Sequence, residues 1–549
     1  MSRSIASQEA PQDSGAKRRK SPSPVRRGVG VRSEWRGEAL IPIARLVALA
    51  TLGALAFPLY LQIIPAATAL DANPARFGWL LAAITSFYVG AVALVWRTRA
   101  VGGWRWVELA LIIAVGVALR VAVFGAPPSL SHDAYRYAWD PQLVAHGISP
   151  YTHTPQDPAL AFLRDNRITP NLRFRDAPTL YPPAAQGLFL LTYLLDPRDI
   201  YGVKLTMEIC DALSFILTLA LLRARKLDLR RALLYWWAPI PILEFAFNGH
   251  VDAEAILWTL AALLASAGTW RGARVATGVF IGLATLTKLY PILFVIPLIR
   301  RRDYGLLAGL AATIVIGYAP FVALGLGAGG FLETYLGQRF VDQGPLLAAL
   351  TTLITLFTHA PLILIGSDFL ALAILAALVA LYRWRVGMSA EAGMLALSAA
   401  WIALSPHIFP WYIAALAPLL ALEQGRAVEA ASHGAEEGGR LKPRLRAYGY
   451  EGGPRGLGNG ALALWLFMLA APFTYVIFAP GENAGLFIWF SLVPAAIALA
   501  PLASATGRAR ALAAWRQLSA PITRGELRAI WDAWAPGALE RRAGNVQHG

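Results

Sequence analysis

The chain has 549 residues, of which 57% are hydrophobic and 15% charged, and it carries a formal net charge of +16. So much hydrocarbon excludes an ordinary water-soluble globule of this size and reads as a polytopic membrane protein. The basic residues gather in short clusters between apolar runs, as orientation signals do, so nucleic-acid binding is excluded as well.

Residues 1–38 are polar, basic and rich in Ser and Pro, without the apolar core of a signal peptide, and are expected to form a disordered cytoplasmic tail. Runs long enough to cross a bilayer then begin near Ile41, Phe77, Val107, Val203, Ala232, Ala253, Val275, Gly305, Pro361, Ala390, Trp411, Ala461 and Leu486. They predict an all-α, polytopic transmembrane helical bundle of about 12 to 14 spans. Cys210 is the single cysteine and lies in an apolar run, so no internal disulfide forms.

Lys and Arg in the short loops orient the bundle. RTRAVGGWRW near Arg97, RARKLDLRR near Arg223, WRGAR near Arg271, the triplet Arg300 to Arg302 and YRWR near Arg383 all belong inside. This assignment makes both termini cytoplasmic and divides the chain into the tail 1–38, a transmembrane catalytic core 39–422, a cytoplasmic linker 423–459, a C-terminal transmembrane hairpin 460–504 and a second cytoplasmic tail 505–549. Val275 to Ile299 has cytoplasmic arginines at both ends, so it must enter and return as two half-spans broken near Lys288 and Pro291. Such breaks are tolerated at membrane depth where they line a cavity.

Two long segments are left outside, about 126–200 after the third span and about 326–360 in the middle of the chain. Shorter external turns carry FNGHVD (Phe247 to Asp252) and SPHIFPWY (Ser405 to Tyr412). His132, His146, His153, His250, His359 and His407 fall on this side with most of the loop aspartates, so one face is furnished with ionisable groups as a reaction site would be.

The first external segment opens with HDAYRYAWD. On a helix, Asp133, Arg136, Tyr137 and Asp140 follow i, i+3, i+4, i+7 and share one face. At 1.5 Å per residue the two carboxylates stand ~10 Å apart, too far to share a proton or one small ion. One is expected to act and the other to position; the plainer alternative is a local Asp133–Arg136 ion pair at a helix start. TLYPPAAQ, with Tyr181, belongs to a stiff Pro-rich and aromatic loop that either shapes a substrate cleft or packs as a cap.

In FNGHVD, Asn248, His250 and Asp252 stand at the mouth of a span pair. Two possible ligands do not make a metal site, so hydrogen bonding to a polyhydroxylated substrate or simple capping is expected instead. Lys288 in LATLTKLYPIL sits at the expected break, where an ammonium needs an anion or water. Arg339 in FLETYLGQRFVDQG and His407 are further candidates for holding an anion. Lys204, Glu208 and Asp211 read as a self-paired interior stripe.

Taken in order, HDAYRYAWD, GISPYTHTPQDP, PTLYPPAAQ, FNGHVDA, LATLTKLYP and SPHIFPWY resemble the bacterial GT-C glycosyltransferases that use a polyprenyl-phosphate sugar, notably the polyprenol-phosphate-mannose-dependent alpha-mannosyltransferases. The resemblance covers roughly residues 40 to 500. It implies an inverting membrane transferase with its site on the outer face and a catalytic aspartate in the first large external loop. Carried over by motif, that role falls on Asp133, with Asp140 as the second acidic position. This chain departs from the commonest GT-C pattern in that the loop follows the third span instead of the first.

Chemistry points the same way. A transferase working outside needs a donor sugar carried across on a lipid, which makes a lipid-linked sugar and a glycan, lipid or protein acceptor the expected partners. The attacking hydroxyl needs a carboxylate base, whereas the phosphate leaving group is already a stable anion and needs positive charge, here Lys288, Arg339 and His407. No cofactor or metal ion is required. The competing expectations are a polytopic transporter or lipid flippase, whose sites tend to lie at the midplane between repeats, and an outer-face polysaccharide ligase or polymerase.

Overall fold

Proline and helix length decide how the apolar runs fold. The computed structural model describes residues 30–97, 102–197, 199–325, 361–385, 388–405, 409–423 and 459–477, together with isolated positions 508, 512 and 516. All regular structure among them is helical. By its contacts the chain divides into residues 1–45, of which only the start of the first helix is described, and residues 46–549, which hold the rest of the described structure.

Three long apolar helices come first: α1 (Gly30–Thr68), α2 (Pro74–Arg97) and α3 (Trp104–Phe124). The segment after them carries α4 (Asp133–Ala145) and α5 (Pro183–Leu195), so the expected external stretch 126–200 contains two regular helices. Next come α6 (Ile200–Ala224), α7 (Leu233–Trp236) and α8 (Pro239–Pro241). A π-helical turn, Ile242–Phe247, leads into α9 (Asp252–Ala267) and α10 (Ala273–Thr287). A 3-10 turn, Tyr290–Phe294, joins α10 to α11 (Val295–Leu298) and α12 (Tyr304–Ala323). The later helices are α13 (Pro361–Arg385), α14 (Ala390–Leu404), α15 (Pro410–Ile413), α16 (Leu416–Leu422), α17 (Asn459–Ala470) and α18 (Thr474–Ile477).

The described residues thus form a multi-pass helical membrane fold, but they do not reach the expected 12 to 14 crossings. Five helices are long and apolar enough to span: Ile41–Thr68, Pro74–Trp96, Trp104–Phe124, Ile200–Ala224 and Tyr304–Ala323. A sixth span is reached if the pair Pro239–Phe247 and Asp252–Ala267, bent by 120°, counts as one. The physical reasons are local. Pro239 and Pro241 interrupt the run that begins near Ala232. Helices α9, α10 and α14, of 16, 15 and 15 residues, are short against the ~30 Å hydrocarbon thickness at 1.5 Å per residue. The expected second loop 326–360, nearly all of the linker 423–459 and most of the hairpin 460–504 lie outside the described residues.

The break expected near Lys288 is present. Helix α10 ends at Thr287, and Lys288 follows in an extended conformation (φ −140°, ψ 142°) before the Pro291-containing turn. Helix α9 packs between α6 and α10, and α10 packs in turn against α12. That last crossing is unusually close: a Cβ on Gly278 would stand 2.0 Å from the Leu306 carbonyl oxygen, and one on Gly309 would stand 2.3 Å from that of Val275. Only glycine permits backbones to approach so closely, and small residues at a crossing are how apolar helices associate without a hydrophobic driving force.

Buried charges tie α3 to α6. Arg120 on α3 pairs with Asp211 on α6 at 2.7 Å, donates to the Trp236 carbonyl at 2.7 Å and lies over the Trp236 ring at 3.5 Å. Glu208 lies 3.6 Å from the same guanidinium. Lys204 donates instead to the carbonyls of Phe124 and Ala126 at the end of α3. The stripe Lys204, Glu208, Asp211 is therefore not self-paired as expected; it reaches across to α3, because a partner on a neighbouring helix also satisfies the backbone groups that the helix end exposes.

Candidate active site

Four short stretches meet where helices are interrupted: the start of α4, the TLYPP loop before α5, the FNGH break before α9 and the Lys288 break after α10.

Helix α4 starts at Asp133, whose amide donates to Ser131 Oγ at 3.3 Å. The Asp133 carboxylate is only partly buried, and its Oδ2 accepts from the Tyr181 hydroxyl at 3.2 Å. Tyr181 is itself held firmly. Tyr151 donates to its carbonyl at 2.8 Å, Tyr137 meets its ring edge-on at 4.9 Å, and Phe189 stacks on Tyr137 at 4.5 Å. Burial, then the adjacent Asp133 charge, pushes the Tyr181 hydroxyl well above the ordinary phenol range, so it remains a neutral donor. The Tyr137 hydroxyl is raised in the same way, by burial and then by Asp133 and Asp252 together. Beside Asp133, burial followed by the Arg173 charge lowers the His132 imidazole against the pull of Asp133, which favours a neutral ring.

Asp140, two turns along α4, has no exposed surface. Its Oδ1 pairs with Arg136 at 2.6 Å and its Oδ2 accepts from Gln186 on α5 at 3.1 Å. Arg136 also donates to the carbonyls of Phe174 and Ala177 at 3.2 and 3.0 Å, and Gln186 donates to Thr179 at 3.0 Å. Arg136 thus pairs forwards with Asp140, not backwards with Asp133, and the group fastens α4 to the loop that carries Tyr181.

The FNGH break supplies the second wall. Gly249 takes a positive φ of 75°, where a side chain would be strained. Asn248 accepts from the Leu130 amide at 3.3 Å, which ties the break to the residues leading into α4. It donates to Glu244 at 3.3 Å, and Glu244 accepts from Tyr475 on both oxygens at 3.1 Å. His250 is fully buried, with Nδ1 2.9 Å from Glu244 Oε2 and its ring stacked on Trp411 at 4.0 Å. Asp252 opens α9, where a negative charge is favoured by the helix N-terminus.

Lys288 closes the site. Its ammonium lies 3.3 Å from Asp252 Oδ2, 5.7 Å from the centre of the Tyr181 ring and 4.9 Å from that of Tyr412. Tyr181 therefore touches the Asp133 carboxylate with its hydroxyl and flanks the Lys288 ammonium with its ring.

Of the residues singled out from sequence, the structure brings Asp133, Tyr137, Tyr181, Asp252 and Lys288 into one neighbourhood. Asn248 and His250 stand in its wall, and Arg136 and Asp140, on α4 itself, point to the loop and helix that follow it. Arg339 and His407 lie outside the described residues. Among the described residues no three His, Cys, Asp or Glu side chains converge closely enough to hold a metal ion. Sequence reasoning missed Glu244, Gln186, Tyr412 and Tyr475. Glu244 carried a signal, since it is the one acidic residue in the apolar run from Ala232 to Val251. Gln186 and Tyr475 carried none, because their partners are 46 and 231 residues away.

Residues 179–410 match the family model Glycosyltransferase family 87. No curated protein matches the chain. The matched range contains Tyr181, Asn248, His250, Asp252 and Lys288 and begins after Asp133 and Asp140. It supports a membrane glycosyltransferase of the GT-C type, hence an enzyme, and such a transferase implies a lipid-linked sugar donor.

Proposed function

We propose that this protein is an inverting glycosyltransferase that moves a hexose from a polyprenyl-phosphate donor to an acceptor hydroxyl at the outer face of the cell membrane, with both termini in the cytoplasm. Mannose is the sugar to test first. The observation that carries the reading is Tyr181, which contacts both a partly exposed carboxylate and a caged ammonium.

Asp133 acts as general base. It takes the proton from the acceptor hydroxyl as the oxygen attacks the anomeric carbon, while Tyr181 holds one carboxylate oxygen and leaves the other for the incoming hydroxyl. The bond from the anomeric carbon to phosphate oxygen breaks on the opposite face, so configuration inverts. The departing phosphate keeps the electron pair and is stabilised by Lys288, with Arg339 and His407 as further anion-holding groups. Asp252 and Tyr137 face the sugar, Asn248 and His250 brace the wall through Glu244, and Arg136 and Asp140 fix α4. The acceptor is a glycan, lipid or protein hydroxyl.

The test is transfer by purified protein in nanodiscs, from polyprenyl-phosphate-mannose to a panel of acceptors. Replacing Asp133 by Asn is expected to lower turnover by roughly 10²- to 10⁴-fold, the span of general-base catalysis, with donor affinity retained. Turnover equal to wild type would remove Asp133 from the chemistry. The helix pair bent by 120° also fits a transporter or lipid flippase, which would move substrate across vesicles without forming a bond.

A further inference from the structure

Among the described residues the Lys288–Asp252 pair is looser than four arginine–carboxylate pairs; Arg120–Glu208, at 3.6 Å, is longer, but that guanidinium is already bound to Asp211. Arg230–Glu108, Arg136–Asp140, Arg225–Glu391 and Arg120–Asp211 are separated by 2.5, 2.6, 2.6 and 2.7 Å, and each uses a guanidinium. Lys288 and Asp252 are 3.3 Å apart, and neither Asp252 oxygen makes a hydrogen bond to the described residues, although Asp252 is 1% exposed. A buried carboxylate ordinarily collects hydrogen bonds, so this one is under-satisfied where it stands. Its partner is a compact ammonium at the end of a flexible stem, held in addition by two aromatic faces that survive the loss of Asp252.

We infer that Asp252 is an internal counterion occupying an anion site built on Lys288, and that the phosphate of a prenyl-phosphate ligand displaces it. This rests on the transferase reading above. Each half of the exchange has a place to go. Displaced, Asp252 stays ionised at the N-terminus of α9, where the helix favours negative charge, and its two oxygens are free to accept from sugar hydroxyls. Lys288, at the C-terminal end of α10, keeps its ring contacts and gains the phosphate.

The exchange also addresses product release. The donor phosphodiester carries one negative charge, whereas the prenyl phosphate left after transfer carries up to two at neutral pH and would bind a lone ammonium more tightly than the donor does. A carboxylate waiting 3.3 Å away competes for that ammonium and lowers the affinity for product.

Binding of a prenyl monophosphate, measured by calorimetry on the full-length protein in detergent with no acceptor present, tests the assignment. Asp252→Asn, and independently Asp252→Ser, is expected to bind the probe about tenfold more tightly than wild type, because a like charge is removed from beside the bound anion. Lys288→Gln is expected to lose binding in both backgrounds. Inorganic phosphate should show the same order, wild type weaker than Asp252→Asn, at lower affinity. In turnover, Asp252→Asn should show stronger inhibition by prenyl phosphate, which carries no sugar for Asp252 to hold. Unchanged or weaker binding in both Asp252 variants overturns the proposal, as does retained binding in Lys288→Gln. Equal affinity for the two probes overturns the assignment to a lipid-borne phosphate. Because binding is read without transfer, a wild type that binds in this order but transfers nothing refutes the transferase reading and leaves the counterion site standing.

Discussion

Asp140 has no exposed surface, and both of its oxygens are engaged inside the protein, by Arg136 and Gln186. Replacing it by Asn removes the charge that compensates a buried guanidinium. Breaking one side of a buried pair in this way costs about 3 to 5 kcal/mol, so Asp140→Asn should unfold at clearly lower denaturant or temperature than wild type in the same detergent. Asp133→Asn, at a partly exposed helix start, should leave the unfolding midpoint nearly unchanged while lowering turnover by the roughly 10²- to 10⁴-fold of a lost general base. If Asp140→Asn were as stable as wild type yet inactive, Asp140 would have to be moved from a positioning to a chemical role. The sequence made the shared face of Asp133, Arg136, Tyr137 and Asp140 legible, because i, i+3, i+4, i+7 spacing is a property of any helix. It did not reveal which carboxylate Arg136 would choose. That choice is settled by Phe174, Ala177 and Gln186, which draw the guanidinium and Asp140 together from outside the helix.

At the scale of elements, the position of Lys288 depends on how α10 is fixed at its far end. Arg274, in its first turn, donates to both oxygens of Asp303 at 3.0 Å, and Asp303 caps α12 through the Leu306 amide while accepting from the Arg300 amide at 3.1 Å. Burial alone would raise the Asp303 carboxyl, but the Arg274 hydrogen bonds, followed by that from Arg300, hold it below its usual value. A carboxyl depressed in the folded state contributes stability that is complete above the unfolded value of about 3.9 and is lost as pH falls through the lower folded value. Asp303→Asn should therefore cost about 1.5 to 3 kcal/mol at pH 7, the range for hydrogen bonds to a charged group. Unfolding curves at pH 7 and in steps down to pH 3 should show the gap narrowing as wild type loses the same interaction; a gap independent of pH would mean that capping geometry, not charge, carries the effect. The breaks at Pro239, Pro241 and Lys288 were legible in part, since prolines and a lysine inside an apolar run are visible in any sequence. The span count was not, because hydropathy adds neighbouring short helices into runs that the folded chain divides.

Over the whole molecule, the wall of the candidate site is braced by a residue that sequence order places far from it. Tyr475 begins 231 residues after Glu244 yet donates to both of its oxygens, while Trp465 in the preceding helix donates to Tyr88 at 3.2 Å, and Tyr88 to the Leu234 carbonyl at 2.7 Å. The helices α17 and α18 thus pack into the same core as α2 and the FNGH break. Because Glu244 also takes Asn248, which holds the residues leading into α4, the loss of the Tyr475 hydroxyl should be felt at Asp133. Tyr475→Phe is expected to destabilise by about 1 to 3 kcal/mol, the cost of leaving a buried acceptor under-satisfied, and to lower turnover more than donor affinity. Glu244→Gln should do the same. If the two act through one network, the double variant should fall short of the sum of the single effects by at least about 0.5 kcal/mol, in unfolding and in turnover alike. Strict additivity in turnover would mean that the late helices stabilise the bundle without positioning the site.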